Sequence, residues 1–219
     1  MPANPLDRAV ADGYPLDLRT LFEDAARHLR GSKRVLLAGA LLWLAISTAV
    51  AWLAAVVGLA PEPGAALGIL ATAPLTVGMV MAGARRASGA PIAYADLGRY
   101  RGATAQASIV LLANLVVVLG GEALFGTIAS APLTIGYGLF TSFALYLVAD
   151  RGFDALRALR TSALLVRHRW GTLLLFQLAL ALLLALAILP FGLGLLWAGP
   201  FAIVAAGAAY VRAVGLLEP

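Results

Sequence analysis

Cysteine is absent from all 219 residues, which excludes disulfides, thiolate metal sites and cysteine nucleophiles. Histidine is nearly absent: the two residues, His28 and His168, lie in basic segments with no second histidine or carboxylate at ligand spacing. No H-E-x-x-H, G-x-S-x-G or phosphate-binding glycine loop occurs. The sequence therefore predicts no catalytic residue, no metal and no cofactor. Charge is also scarce. Only 12% of residues are charged, against about a quarter in soluble domains, so a water-soluble core is not the natural reading.

What is present is apolar surface: 62% of residues are hydrophobic and the mean hydropathy is +0.91. The net charge of +5 and pI of about 10.1 would suggest nucleic acid in a soluble protein. Here the cations flank apolar stretches, where the positive-inside rule and anionic headgroups explain them, and no nucleic-acid partner is expected. The first 34 residues mix Asp, Glu, Arg and Pro, and the apolar stretch begins at Val35, so no signal peptide is expected at the N-terminus.

The sixteen Lys and Arg residues fall in segments 1–34, 85–101 and 150–169, plus Arg212. Between them, 35–84, 102–149 and 170–211 carry only two acids, Glu62 and Glu122. Each stretch is 42 to 50 residues long, too long for one crossing of a ~30 Å layer and suited to two. Turn signals sit near each middle: Pro61-Glu62-Pro63-Gly64, Gly120-Gly121 through Gly126, and Pro190 through Gly194. These features predict an all-α polytopic bundle of six helices, as spans 35–59, 65–84, 103–120, 131–149, 172–189 and 194–212. A cytoplasmic N-terminal segment, 1–34, precedes a single transmembrane domain, 35–219, with hairpins 35–84, 103–149 and 172–212. An even span number puts both termini and all the cations on one side, the cytoplasmic one, in a bacterial inner membrane. Tyr100, Tyr146, Trp170 and Tyr210 fall at inner ends, where ring side chains prefer the headgroup level. Trp52 and Trp197 fall toward the outer side, and Trp43 inside the first span requires a packing explanation.

The hairpins resemble copies of one another. Arg30-Gly31, Arg101-Gly102 and Arg169-Trp170-Gly171 precede the odd spans, and Ala73-Pro74, Ala131-Pro132 and Gly199-Pro200 lie in the even ones. Residues 73–78 read Ala-Pro-Leu-Thr-Val-Gly and 131–136 read Ala-Pro-Leu-Thr-Ile-Gly. Gly-to-Pro separations are 43, 30 and 29 residues, so the first hairpin carries an insertion near Pro61–Gly64. Pro74 and Pro200, 11 and 12 residues before Arg85 and Arg212, should kink their helices at mid-membrane. Pro132 falls near the start of its span, where proline is harmless.

Two segments are amphipathic. In 17–30, Leu18, Leu21, Phe22, Ala25 and Leu29 oppose Arg19, Glu23, Asp24 and Arg27, with Asp17 and Gly31 as caps. In 153–169, Phe153, Leu156, Leu159, Ala163 and Val166 form the apolar face. Both are expected to lie on the inner leaflet, with Arg99, Arg101, Arg157, Arg160, Arg167 and Arg169 as candidate headgroup contacts. Asp150, Arg151 and Asp154 are expected to be capping and surface charges. Glu122, about 28 Å along its helix, belongs at the outer interface. Asn114 and Gln177 are the span residues least tolerable toward lipid, and with Pro74, Pro132 and Pro200 they are the candidate intramembrane polar or kink positions. Gly78/Ala82, Ala202/Ala206 and Ala205/Ala209 permit close helix contact.

Residues 73–86 and Gly89-Ala-Pro-Ile-Ala-Tyr-Ala-Asp-Leu-Gly-Arg-Tyr-Arg101 resemble the YciC-like six-helix bacterial membrane proteins, in which a Gly-Pro span leads into a G-x-P-apolar-x-aromatic-x-D-L segment. Val148–Ser162 followed by Arg167–Trp170, and Ala198-Gly-Pro through Arg212, fit the same pattern. The likeness covers about residues 17–215 and departs at Gly98, where an aromatic often follows Asp-Leu, and at Val211, where a polar residue often follows Tyr. It implies six helices and an inner-membrane location, with no catalytic residues. The expected function is non-enzymatic, through lipid or protein contacts in envelope maintenance. The expected partners are membrane lipids with anionic headgroups on the cytoplasmic face, and a membrane protein or a second copy of the chain. The alternative is a small-molecule or lipid transporter, or a flippase-like protein. A lipid-acting enzyme rests only on the basic Asp150–Trp170 segment.

Overall fold

The computed structural model describes residues 5–29, 31–189 and 191–217, and these are all-helical apart from turns. Arg30 and Pro190 lie outside the described residues, as do the two chain ends. Helix α1 (Pro5–Asp12) buries Leu6 and Ala9, and α2 (Leu18–His28) starts at Asp17, whose carboxylate accepts the Thr20 N–H at 3.1 Å. Helices α3 (Lys33–Val56) and α4 (Pro61–Ala87) form the first hairpin. Pro61 and Pro63 open α4 in the turn where no backbone N–H is required, and Arg85 and Arg86 close it where cations complement the helix dipole.

After 3₁₀ turns at Tyr94–Gly98 and Arg101–Ala103, α5 runs Thr104–Phe140. It is not one rod. At Gly126 the backbone takes φ 75° and ψ 164°, a combination open essentially to glycine alone. The two arms fold together beyond it: a Cβ on Gly121 would lie 3.2 Å from the Ser130 Cβ. Thr141 Oγ1 donates across the arms to Asn114 Oδ1 at 3.3 Å. Helix α6 (Ala144–Arg151) ends at left-handed Gly152. In α7 (Ala155–Ile188) Asp154 caps the start and Arg169 breaks the helical dihedrals. Helix α8 (Leu195–Val214) completes the chain.

Among the described residues, five helical stretches are long and apolar enough to cross a membrane. Packing is uneven along them. The core lies at the charged end, where Leu36, Val77, Met81, Phe143, Leu147, Leu165, Val204 and Tyr210 are buried. Toward the turns the helices are bare: Trp52, Val57, Leu124, Ile128, Leu189 and Phe191 are all exposed. In water such a surface would aggregate, whereas in lipid it costs nothing, because acyl chains are as apolar as leucine. The base is tight because glycine permits close approach. Gly207 lies on the backbone of Gly83 and Ala84, and Gly83 on Ile203, so α4 and α8 approach each other closely.

Several expectations need correction. The loop expected over 121–130 is a single-residue reversal at Gly126, because apolar residues on both sides remain helical in a nonpolar setting. The span expected over 131–149 is interrupted instead at 141–143, where Thr141 and Ser142 hydroxyls bond back to the Tyr137 and Leu139 carbonyls. Helices α4 and α8 run through Pro74 and Pro200 as single elements, and the non-helical dihedrals fall at Gly126 and Arg169. Pro132 sits early in its arm, as its spacing implies. Trp43 finds its packing explanation in a hydrogen bond from its indole N–H to Thr76 Oγ1 at 3.2 Å.

Candidate functional site at the charged end

Two acid–base pairs, one buried and one partly buried, sit where the basic segments meet the core. Asp150 and Arg151 are neighbours whose side chains are only 3% and 5% exposed, with Arg151 Nε 3.0 Å from Asp150 Oδ2. Asp150 Oδ2 also accepts the Tyr210 hydroxyl at 2.7 Å, and Oδ1 accepts the Leu217 N–H at 3.1 Å. Arg151 Nη2 reaches the Val214 and Gly215 carbonyls at 3.3 and 3.0 Å. The end of α6 thereby clasps the end of α8. Three donors on one buried carboxylate leave it engaged, so it is built to hold rather than to transfer protons.

The second pair spans the turn after α4: Arg85 Nη1 donates to Asp96 Oδ1 at 2.6 Å, and Asp96 Oδ2 accepts the Ala93 N–H at 2.7 Å. Gly78 of α4 lies directly on the Leu97 backbone, which presses this turn onto α4. Arg86 Nε donates to the His28 carbonyl at 2.5 Å, and Arg212 bridges to Asp24, tying α2 to α4 and α8. The ring of Phe22 stacks on Phe201 and meets Phe176, both with centroids 5.8 Å away.

The N-terminal segment docks at the break in α7. His168 Nε2 lies 2.8 Å from the Val10 carbonyl, and Arg169 Nε donates to the Tyr14 carbonyl at 3.1 Å. The Tyr14 ring meets Phe143 edge-on, and its hydroxyl is buried without a partner among the described residues. Burial pushes that hydroxyl well above its ordinary range, against the smaller opposing pull of Arg169.

The arginines at this end separate by surroundings. Arg169 is tied to Tyr14, Arg157 lies over the Phe153 ring at 4.0 Å, and Arg99 approaches Asp96 at 4.0 Å. Arg101, Arg160 and Arg167 are exposed and have no ion pair among the described residues. Asn114 is satisfied within its own hairpin, by Thr141 and by donating to the Val110 carbonyl at 3.0 Å. Gln177 is half-buried, and Glu122 is exposed beside the Gly126 turn.

Three expectations about this end are overturned. Asp150 and Arg151 are core rather than surface charges. Tyr146 and Tyr210 do not float at an interface, since both are buried and stack at 4.8 Å. The face that α7 buries before its break is Ala155, Ala158, Ser162, Leu165 and Val166; of the expected face Val166 is buried and Phe153 and Leu159 pack partly on the core, whereas Leu156 is 56% exposed. Small residues win there because Ser162 must reach the backbone: its hydroxyl donates to the Phe140 carbonyl at 2.7 Å and accepts the Phe143 N–H at 3.1 Å. Among the described residues, no cluster of three or more His, Asp or Glu side chains could hold a metal ion.

The chain has the make-up of a multi-span helical membrane protein. No family model, curated protein or solved structure matches it.

Proposed function

We propose that this chain is a non-enzymatic integral protein of the bacterial inner membrane, of the YciC-like kind, acting through lipid or protein contacts in envelope maintenance. It would cross the bilayer six times as three hairpins, with both ends in the cytoplasm. The observation that carries this reading is the polarity of the fold. The buried core and most basic residues share one end, with Lys33 as the exception over the Trp197 ring near the third turn, while the three turn regions and the helices leading to them are largely exposed and apolar. A protein that worked on a substrate in its interior would concentrate polar groups within the spans, whereas here the polar architecture is spent on joining hairpins at their base.

A threefold repeat underlies the proposal. Left-handed glycines recur at matching places: Gly58, Gly126 and Gly192 in the turns, and Gly13, Gly89 and Gly152 before the segments that lead into each hairpin. Each leading segment packs on the hairpin that precedes it. Leu97 lies on Gly39 and Gly78 of the first, and Ser162 bonds to Phe140 and Phe143 of the second. Phe22 lies between Phe176 and Phe201 of the third, so the ring closes through α2.

The test is single-cysteine mapping in the cysteine-free chain with a membrane-impermeant maleimide. Cysteines replacing Leu59, Ile128 and Leu193 are expected to label from outside intact spheroplasts, and those replacing Arg101 and Leu217 only after lysis. Labelling of Ile128→Cys only after lysis would refute the six-crossing arrangement.

A further inference from the structure

We propose that Arg160 and Arg167, with the groove between α7 and Phe140, form a binding site for one anionic glycerophospholipid of the inner leaflet. This rests on the membrane reading above and gives it a specific ligand.

Residues 160, 163, 164 and 167 are spaced as one helical face. They line a groove of about 550 Å³ whose other wall is Phe140. Leu164 and Phe140 are each 41% exposed, so the floor is apolar and open to the outside. Arg160 and Arg167 stand at its two ends, about 10 Å apart along the helix. Both are exposed, and no acid pairs with either among the described residues. The neighbouring arginines are otherwise engaged: Arg157 on Phe153, Arg169 on Tyr14 and Arg151 within the core.

The groove is held in shape. Ser162 faces away from it and is fully buried, pinning α7 to the break after α5 through both of its hydrogen bonds. That anchor ties the Phe140 backbone to α7, on which Leu164 forms the facing part of the groove. Depth fits as well. Phe140 lies 14 residues from the Gly126 turn, or about 21 Å along a helix, within a ~30 Å layer and toward its basic side. An acyl chain would cover Phe140, Ala163 and Leu164, while guanidinium groups at the rim would take the phosphate oxygens in paired hydrogen bonds. A soluble anion would gain nothing from the apolar floor, and a protein partner would need acids to match two isolated cations. The lipid satisfies both halves at once.

Native mass spectrometry of the detergent-purified full chain tests this, titrating phosphatidylglycerol and phosphatidylcholine separately. The wild type should retain phosphatidylglycerol preferentially. Arg160→Ala or Arg167→Ala should each weaken it about 5-fold, and the pair about 30-fold, at roughly 1 kcal/mol per interfacial cation. The Arg160→Lys/Arg167→Lys pair should keep most of the preference. Leu164→Ser should weaken both lipids. Wild-type retention by the double alanine variant, equal retention of the two lipids, or displacement of phosphatidylglycerol by millimolar inorganic phosphate would each overturn the site. Release of the chain from native membranes by alkaline carbonate would instead overturn the membrane reading itself.

Discussion

Removing the Asp150 carboxylate probes the clasp most directly. The side chains of Asp150 and Arg151 are 3% and 5% exposed. Asp150→Ala would take its neighbouring carboxylate from the buried Arg151 guanidinium, which also donates to the Val214 and Gly215 carbonyls, and would strip the Tyr210 hydroxyl and Leu217 N–H of their acceptor. Breaking a buried pair from one side costs about 3–5 kcal/mol, because the remaining charge stays desolvated. Tyr210→Phe, which removes one hydrogen bond to a charged group, should cost about 1.5–3 kcal/mol. Those two losses should not add, since both act on the same carboxylate. Replacing both charged residues, as Asp150→Ala/Arg151→Met, should recover at least half of the loss, because no orphaned charge remains. Unfolding in mixed micelles by titration with dodecyl sulfate, followed by far-ultraviolet circular dichroism, would measure all four proteins. Trypsin cleavage after Arg212 should accelerate in Asp150→Ala as the end of α8 loosens. The reasoning fails if Asp150→Ala lies within about 0.5 kcal/mol of wild type, the range of ordinary surface substitutions, or if the double variant is no more stable than the single one.

Gly207→Ala should destabilise by about 1–3 kcal/mol, since its Cβ would land on the backbone of Gly83 and Ala84. Gly199→Ala in the same helix meets open space and should be neutral or better, and thermal melts of the two in one detergent would separate packing from helix propensity. Phe22→Ala should cost about 2–3 kcal/mol, less than a fully buried phenylalanine, and should raise protease access to the segment following α2. Tyr14→Phe should be neutral or stabilising by up to about 1 kcal/mol, because the hydroxyl it removes is buried without a partner among the described residues. The folded-state pKa of Tyr14 lies above its ordinary value of 10.0, so the stability its neutral form confers is complete below that value and declines as the pH rises past it. Tyr14→Phe should lose that part of the alkaline decline, as stability measured across about pH 9 to 11 would reveal.

Helix positions were legible wherever charge and glycine punctuate the sequence. Lys33 and Arg85 bracket the first hairpin, and Asp17 and Asp154 announce their helices as N-caps. Packing inside the base was not legible. Nothing local distinguishes Asp150 from a surface acid, because its partner Tyr210 lies 60 residues away. Ser162 did leave a signal, as a lone hydroxyl on a stripe otherwise made of Ala, Leu and Val, spaced at helical intervals. The larger residues Leu156 and Leu159 outweighed it in any count of hydrophobicity. Gly83 and Gly207 were hidden for a related reason. Small residues recur throughout these helices, and only the three-dimensional crossing shows which pair carries the contact.

The cyclic packing explains why the N-terminal segment is part of the fold rather than an appendage. In the proposed repeat, the first and second hairpins are each covered by the segment that follows them in the chain. The third is covered by α2, from the segment that precedes the first hairpin. Two features fit α2 to that position. Phe22 and Leu21 face the hairpin, and Asp24 reaches Arg212 at the hairpin's end. Separating Gly31 from Pro74 are 43 residues, against 30 and 29 in the other copies. The excess is assigned to the region near Pro61–Gly64, away from the Leu97 contacts at Gly39 and Gly78. Length can vary toward the turns because most side chains there are exposed, whereas the spacing at the base is fixed by hydrogen bonds, stacked rings and apposed glycines. The base is therefore where substitutions should be costly, and its exposed arginines are where recognition can evolve without disturbing it.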